Sequence, residues 1–191
     1  MKKEYQKMII ITAPSGAGKT SITMHLLKVF PQLVFSISAT TRTPRANEEN
    51  GRDYYFMTVE EFQYKIKNEE FVEWEMVYER KYYGTLKSEL KRIWKNGQVP
   101  VLDIDVQGAI HVQQEYSENS LFIFIQPPSV EELKKRLLER GSETKESLEA
   151  RINKSAYELS FKNHFENVIV NNDLVTACTE TGKLIRNFLN N

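Results

Sequence analysis

The sequence has almost no cysteine, no excess of charge of either sign and no hydrophobic run long enough to cross a membrane. Its 191 residues include one cysteine, Cys178, so no internal disulfide can form, which is typical of a reducing compartment. Lysine plus arginine and aspartate plus glutamate both total 26, so no global positive field favours nucleic acid or anionic lipid. The apolar run at residues 8–11 is too short for a signal or membrane segment. We therefore expect a cytoplasmic protein that binds neither nucleic acid nor membranes.

Short strand-like apolar runs alternate with longer amphipathic stretches along most of the chain. The length is that of one domain. The expected strands cover residues 8–12, 34–38, 99–105, 120–126 and 167–171, and the expected helices cover 19–30, 86–95, 106–116, 130–140, 145–160 and 173–189. This alternation predicts an α/β fold with a mostly parallel sheet flanked by helices.

The region from residue 40 to residue 84 interrupts the alternation. It is richer in arginine, asparagine, glutamate and tyrosine, with candidate strands at 53–57 and 71–77 around a helix at 60–68. We predict a mixed α/β insert on the side of the strand carboxyl ends, where open α/β sheets bind ligands.

The tract APSGAGKT has the form of a phosphate-binding loop (P-loop), G-x-x-x-x-G-K-[ST], except that Ala13 stands at the first glycine. Pro14 forces Ala13 into extended geometry, where a positive φ is not required, so alanine is tolerable there. Lys19 supplies a charge for the β- and γ-phosphates, and Thr20 supplies a hydroxyl for magnesium. The loop, Ala13, Pro14, Ser15, Gly16, Ala17, Gly18, Lys19 and Thr20, is the predicted triphosphate site.

The strand VPVLDID ends in carboxylates that could hold magnesium, directly or through water. Asp103 and Asp105 point the same way if the strand extends to residue 105. Aspartate also caps helices after strands, so the metal interpretation of Asp103 depends on the nearby P-loop.

The insert carries residues suited to a nucleoside monophosphate. Arg42 and Arg45, with the phenol of Tyr54, could clamp a phosphate, although loop arginines are often only solvated. Glu73 could accept from the paired N–H donors of guanine, or it could be the exposed face of a strand. Hydroxyls at Ser38 and Thr85 could donate to guanine O6.

The motifs APSGAGKT, SISATTRTPRANEENGRDYYF, FVEWE, YYGT, LDIDVQG and RLLERGSET occur in the order found in guanylate kinases. The chain resembles this family of P-loop nucleoside monophosphate kinases from about residue 9 to the C-terminal helix. The resemblance implies ATP- and Mg²⁺-dependent phosphorylation of GMP and of dGMP. It also implies a P-loop NTPase core (1–39, 86–126 and 161–191), a GMP-binding insert (40–85) and a helical lid (127–160).

The resemblance also implies residue roles. The residues that it assigns to GMP binding are Ser38, Arg42, Arg45, Tyr54, Glu73, Tyr83, Thr85 and Asp105. It assigns ATP binding to the P-loop and to Asn171, near the adenine. The catalytic set is Lys19, Arg42 and three lid arginines, Arg136, Arg140 and Arg151. The first two lid arginines could instead pair with Glu132 and Glu139 on the same helix. Thr85 stands where some relatives have serine, which keeps the hydroxyl.

Two other functions remain compatible with the sequence. A kinase for a different monophosphate acceptor is disfavoured by Glu73 together with the hydroxyls of Ser38 and Thr85. A non-catalytic guanylate-kinase-like module that binds phosphorylated protein segments is disfavoured by the intact Lys19 and Thr20. The sequence does not indicate an oligomeric state.

Overall fold

The structure is a computed structural model that describes residues 6–139 and 145–190. Its elements in chain order are β1 (Met8–Thr12), α1 (Lys19–Val29), β2 (Leu33–Phe35), β3 (Ala39–Thr40), β4 (Tyr55–Phe56), α2 (Val59–Lys67), β5 (Phe71–Tyr78), β6 (Lys81–Leu86), α3 (Lys87–Lys95), β7 (Val99–Asp103), α4 (Val106–Tyr116), β8 (Ser120–Gln126), α5 (Val130–Glu139), α6 (Lys145–Ser160), a 3-10 turn (Lys162–His164), β9 (Asn167–Val170) and α7 (Leu174–Asn190).

The larger sheet has five parallel strands in the order β2-β7-β1-β8-β9. Every residue of β1 is buried, because helices cover both faces of the sheet. Ile9 packs in one core cluster with Leu26 of α1, and α7 contributes to the same face. Ile10 packs in a second cluster with Leu90 of α3, beside α4. The predicted α/β fold with a mostly parallel sheet between helices is therefore confirmed.

A second sheet has the strand order β4-β3-β6-β5 and lies within the predicted insert. Helix α2 covers it with a small core of its own, in which the Phe62 ring stacks on Phe71 at 4.3 Å and on Tyr82 at 5.3 Å between centroids. Helix α2 begins at a capping box formed by Thr58 and Glu61. The strands β3 and β6 were not predicted from the sequence.

Two predicted strands end at least two residues earlier than expected. Strand β2 stops at Phe35, and residues 36–38 leave the large sheet to reach β3. Strand β7 stops at Asp103, and Asp105 is the N-cap of α4, where its Oδ1 accepts from Gly108 N at 2.9 Å. Asp103 and Asp105 therefore do not alternate along one strand, and the capping alternative describes Asp105.

Within the described ranges, no helix has both the length and the apolar character needed to span a bilayer.

Candidate active site

The P-loop connects β1 to α1 with the backbone geometry that its glycines permit. Gly16 and Gly18 have φ values of 88° and 96°. A Cβ at position 18 would overlap the side-chain nitrogen of Asn171, so Gly18 is required by space as well. Ala13 is buried and has no positive φ, as Pro14 leads us to expect. The loop places the N-terminus of α1, with its free N–H groups and positive dipole end, beside the loop interior.

Asn171 follows β9 and supports the P-loop. Its Nδ2 donates to Ala17 O at 2.7 Å, and its backbone N–H donates to Gln126 O at 2.7 Å. The side chain is buried, so this amide is held between β8 and the loop. The resemblance implies that this position lies near the adenine, and the structure places it directly under the P-loop backbone.

Lys19 extends from the P-loop to the end of β7. Its Nζ donates to Ile104 O at 2.9 Å and forms an ion pair with Asp103 Oδ1. Thr20, the next residue of α1, is exposed to solvent. Of the two groups predicted for magnesium, the Asp103 carboxylate therefore contacts the P-loop lysine, and the Thr20 hydroxyl belongs to the residue that follows it.

A cavity of about 240 Å³ opens between the second sheet and the carboxyl end of β7. Six of the residues predicted from the sequence line it: Ser38, Tyr54, Glu73, Tyr83, Asp103 and Asp105. Asp103 and Ile104 both line the cavity and both hold Lys19. The P-loop lysine and the proposed acceptor pocket therefore share one wall.

Glu73 on β5 is a buried carboxylate inside this cavity, with 7% of its surface exposed. Its Oε1 accepts from the Thr85 hydroxyl at 2.6 Å, which crosses from β6. Burial raises the pKa of Glu73 to about 7, the Thr85 hydrogen bond opposes this rise, and the charges of Asp105 and Glu75 add to it. A Cβ at Gly108 would lie 2.8 Å from Oε2, so the first turn of α4 leaves room for the carboxylate only because residue 108 is glycine.

Arg42 lies on the loop after β3 and already holds a carboxylate. Its Nη1 and Nη2 donate to the two oxygens of Glu48 at 2.6 and 2.7 Å. The guanidinium lies over the Tyr54 ring, 4.8 Å from the centroid, and the Tyr54 and Tyr83 rings meet edge to face at 6.2 Å. Arg45 is exposed on the same loop. Arg42 and Tyr54 of the predicted clamp are thus in contact, with Arg42 fixed by its pair with Glu48.

Comparison with known proteins shows the family of the chain. The sequence model of a family described as guanylate kinase matches residues 5–188. The chain belongs to the guanylate kinase family.

Individual relatives extend the comparison over the whole chain. A guanylate kinase of Bacteroides thetaiotaomicron is 47% identical over 190 residues, which are 100% of this chain and 93% of the relative. A guanylate kinase of Thermotoga maritima is 42% identical over 180 residues, covering 94% of this chain and 86% of the relative. The crystal structure of guanylate kinase from Anaplasma phagocytophilum is 31% identical and aligns with a TM-score of 0.75, covering 95% of this chain and 85% of that one.

In this member of the guanylate kinase family, Arg136, one of the three arginines of the predicted lid, contacts protein partners. Arg136 Nε pairs with Glu132 Oε1 at 3.1 Å, as the alternative interpretation of the sequence allowed, and its Nη2 donates to Asn171 O at 3.2 Å. Arg151 is half-buried on α6. Arg140 lies outside the described residues.

Lys154, Glu158 and Glu48 are charged residues near the candidate site that were not predicted from the sequence. Lys154 of α6 lines the cavity, and its Nζ lies 3.7 Å from Glu158. Glu158 is buried beside the P-loop, and this burial raises its pKa. Glu48 pairs with Arg42 from six residues away in an irregular loop. No periodic pattern marks any of the three, since each depends on tertiary placement.

Proposed function

We propose that this protein is a guanylate kinase that transfers the γ-phosphoryl group of ATP to GMP, giving ADP and GDP. The observation that carries the proposal is that Lys19 contacts Asp103 and Ile104, which also line the cavity containing Glu73. A P-loop triphosphate and an acceptor in that cavity would therefore meet at one place. Proximity of this kind is the main requirement for direct transfer.

The buried end of the cavity suits guanine. Glu73 can accept from the adjacent N1–H and N2–H donors of guanine, whereas adenine presents an acceptor at N1. The Thr85 hydrogen bond fixes the carboxylate in the buried position. Because a mismatched base leaves buried polar groups without partners, such a site can discriminate by about 10⁴-fold. Ser38 and Asp105 line the same cavity and complete the proposed base site.

The transfer needs no nucleophilic side chain. An oxygen of the GMP phosphate attacks the γ-phosphorus of ATP, and the bond to the β–γ bridging oxygen breaks as ADP leaves. The protein has to align two polyanions and neutralise their charge. We assign this role to Lys19, to the Arg42 and Arg45 pair with Tyr54 and Tyr83, and to the lid arginines Arg136, Arg140 and Arg151. Closure of the insert (40–85) and the lid (127–160) would exclude water as a competing acceptor.

The oxygen donors beside Lys19 fit magnesium. Mg²⁺ prefers carboxylate and hydroxyl oxygens and keeps several waters, completing its shell with substrate phosphates. The exposed Thr20 hydroxyl and the Asp103 carboxylate, directly or through water, would hold the ion that accompanies ATP. When bound, it would supply positive charge to the β- and γ-phosphates.

An ADP-release assay tests the proposed function. With ATP and a panel of GMP, dGMP, AMP, CMP and UMP, we expect kcat/KM for GMP to exceed that for AMP by about 10³-fold or more. We expect turnover with dGMP as well, since none of the assigned contacts involves the ribose 2′-hydroxyl. Faster turnover with another base would point to a different acceptor, and GMP binding without ADP release would favour the non-catalytic module.

The pH dependence of kcat/KM for GMP should reflect the ionisation of Glu73. Only the ionised carboxylate accepts two N–H donors, and the pKa of Glu73 in the free protein is raised to about 7. We therefore expect kcat/KM for GMP to fall about tenfold per pH unit as pH decreases below that value. The phosphate of GMP titrates near pH 6, so the measurement compares wild type with Glu73→Gln, which shares the phosphate titration. If kcat/KM depends on pH in the same way in both proteins, Glu73 does not recognise the base.

A further inference from the structure

Arg42, which is proposed to bind the phosphate of GMP, is already held by groups of the protein itself. Its side chain is 13% exposed, and that of Glu48 is 16% exposed. Nη1 donates to Glu48 Oε2 at 2.6 Å and to Thr43 O at 3.0 Å, while Nη2 donates to Glu48 Oε1 at 2.7 Å. The far end of the guanidinium is thus fixed by three hydrogen bonds to its own loop.

The remaining donors of Arg42 lie together on one edge. A guanidinium has five N–H groups, and Glu48 and Thr43 use three of them. The two that Glu48 and Thr43 leave are Nε–H and the second hydrogen of Nη2, which are adjacent and parallel, and the Tyr54 phenol also interacts with this guanidinium. These two N–H groups are the donor pair that matches two oxygens of a phosphate. The rings of Tyr54 and Phe56, 4.8 and 5.6 Å from the guanidinium carbon, restrict its face.

Glu48 also orders the backbone of the same loop. Its Oε2 accepts from Arg45 N at 2.9 Å in addition to Arg42 Nη1. The hydrogen bond from Arg42 is the largest cause that lowers the pKa of Glu48, to about 2, and the Arg45 backbone contributes. The carboxylate therefore stays ionised at any pH at which a kinase would be assayed.

We propose that Glu48 is a positioning residue that fixes Arg42 so that its Nε/Nη2 edge is presented to the phosphate of GMP. Glu48 does not touch the nucleotide in this arrangement, and it acts through Arg42. A free arginine side chain has many rotamers, and holding it in the binding geometry beforehand removes that entropic cost from GMP binding. The inference rests on the proposed function, because it requires GMP as the acceptor.

The opposite effect of Glu48 on GMP binding is also physically possible, and steady-state kinetics distinguish the two. Glu48 could act as a competitor that occupies Arg42 until phosphate displaces it. A competitor predicts that removing the carboxylate charge lowers the KM for GMP, whereas a positioning residue predicts that the KM rises.

The test is the substitution Glu48→Gln with steady-state kinetics in both substrates. Glutamine keeps one oxygen for Arg45 N–H and Arg42 Nη1 but replaces the other with an amide nitrogen, which cannot accept from Nη2. We expect the KM for GMP to rise roughly tenfold, with kcat and the KM for ATP changed less than about twofold. The matched control is Glu49→Gln, which removes an exposed pair with Arg52 and should leave the KM for GMP unchanged.

A double-mutant cycle with Arg42→Ala identifies the route of the effect. If Glu48 acts through Arg42, then adding Glu48→Gln to Arg42→Ala should change the KM for GMP by less than about twofold. Additive effects, a lowered KM, a loss confined to kcat, or an equal effect of Glu49→Gln would each overturn the inference. Absence of GMP phosphorylation by the wild type would instead refute the proposed function, which separates the two failures.

Discussion

Replacing Lys19 with alanine is expected to lower kcat with ATP and GMP by about 10³-fold or more while the fold is retained. Lys19 is the P-loop cation whose Nζ lies against Asp103 and Ile104, at the wall shared with the acceptor cavity. In the transition state its charge would act on the transferring phosphoryl group, where loss of one preorganised charged donor has large effects. Single-turnover measurement of ADP formation checks the chemical step directly.

The control for Lys19→Ala has to separate catalysis from folding. Lys28→Ala removes an exposed lysine from the same helix and should leave kcat within about twofold of the wild type. Lys19→Ala also leaves Asp103 without its ion-pair partner, so we expect a lower Tm that Lys19→Ala/Asp103→Asn recovers in part. Turnover by Lys19→Ala near the wild-type rate would exclude the P-loop from catalysis.

Replacing Glu73 with glutamine is expected to reduce kcat/KM for GMP by about 10²-fold or more while AMP activity changes little. Glutamine can still accept from the Thr85 hydroxyl, but its amide nitrogen presents hydrogens toward the N–H donors of guanine. A buried donor facing a donor is costly because no water can replace the lost partner. The ratio of kcat/KM for GMP to that for AMP is the measurement, and an unchanged ratio would contradict the base-reading role.

The thermal stability of Glu73→Gln relative to the wild type serves as an internal control, because the direction of its change with pH can be predicted. The pKa of Glu73 rises from an ordinary 4.5 to about 7 in the folded protein, so the native state binds more protons than the unfolded state between these values. The free energy of unfolding therefore decreases as pH increases through that window, and the destabilisation from burying the ionised carboxylate is complete above pH 7. Glu73→Gln should accordingly melt no lower than the wild type at pH 8, and Glu70→Gln, which removes a partly exposed pair with Lys65, controls for loss of a carboxylate.

The parts of the fold that sequence could predict are those with strong local periodicity. Strand β1 and helices α4 and α6 have the expected bounds, because continuous apolar runs and amphipathic repeats are local signals. Strand β3 has only two residues, and β6 contains Gly84 among lysine and tyrosines, so neither shows an alternating pattern. Strand β6 pairs with the adjacent β5 through a short turn, whereas β3 pairs with β4 and with β6 over long sequence separations that a local pattern does not encode.

The candidate site was predictable to the level of residue types and motifs, and its contacts were not. Asp105 illustrates the limit, because an aspartate after a strand serves equally as a strand end or as a helix cap. Asn171 reaches the P-loop across 154 positions of sequence, so its bond to Ala17 becomes visible only in the fold. The pairing of Arg42 with Glu48 likewise depends on the path of an irregular loop.

Gly108 makes the base selectivity proposed for the insert dependent on a residue that lies outside it. Glu73 belongs to β5 of the second sheet, yet the space for its Oε2 is provided by the first turn of α4 in the core. A chimaera that transplants residues 40–85 onto another nucleotide kinase would receive the glutamate proposed to bind guanine, but it would not receive the space that Gly108 leaves for it. A redesign for a different nucleobase would therefore have to change positions 73 and 108 together. A larger residue at position 108 would remove the space that the carboxylate occupies.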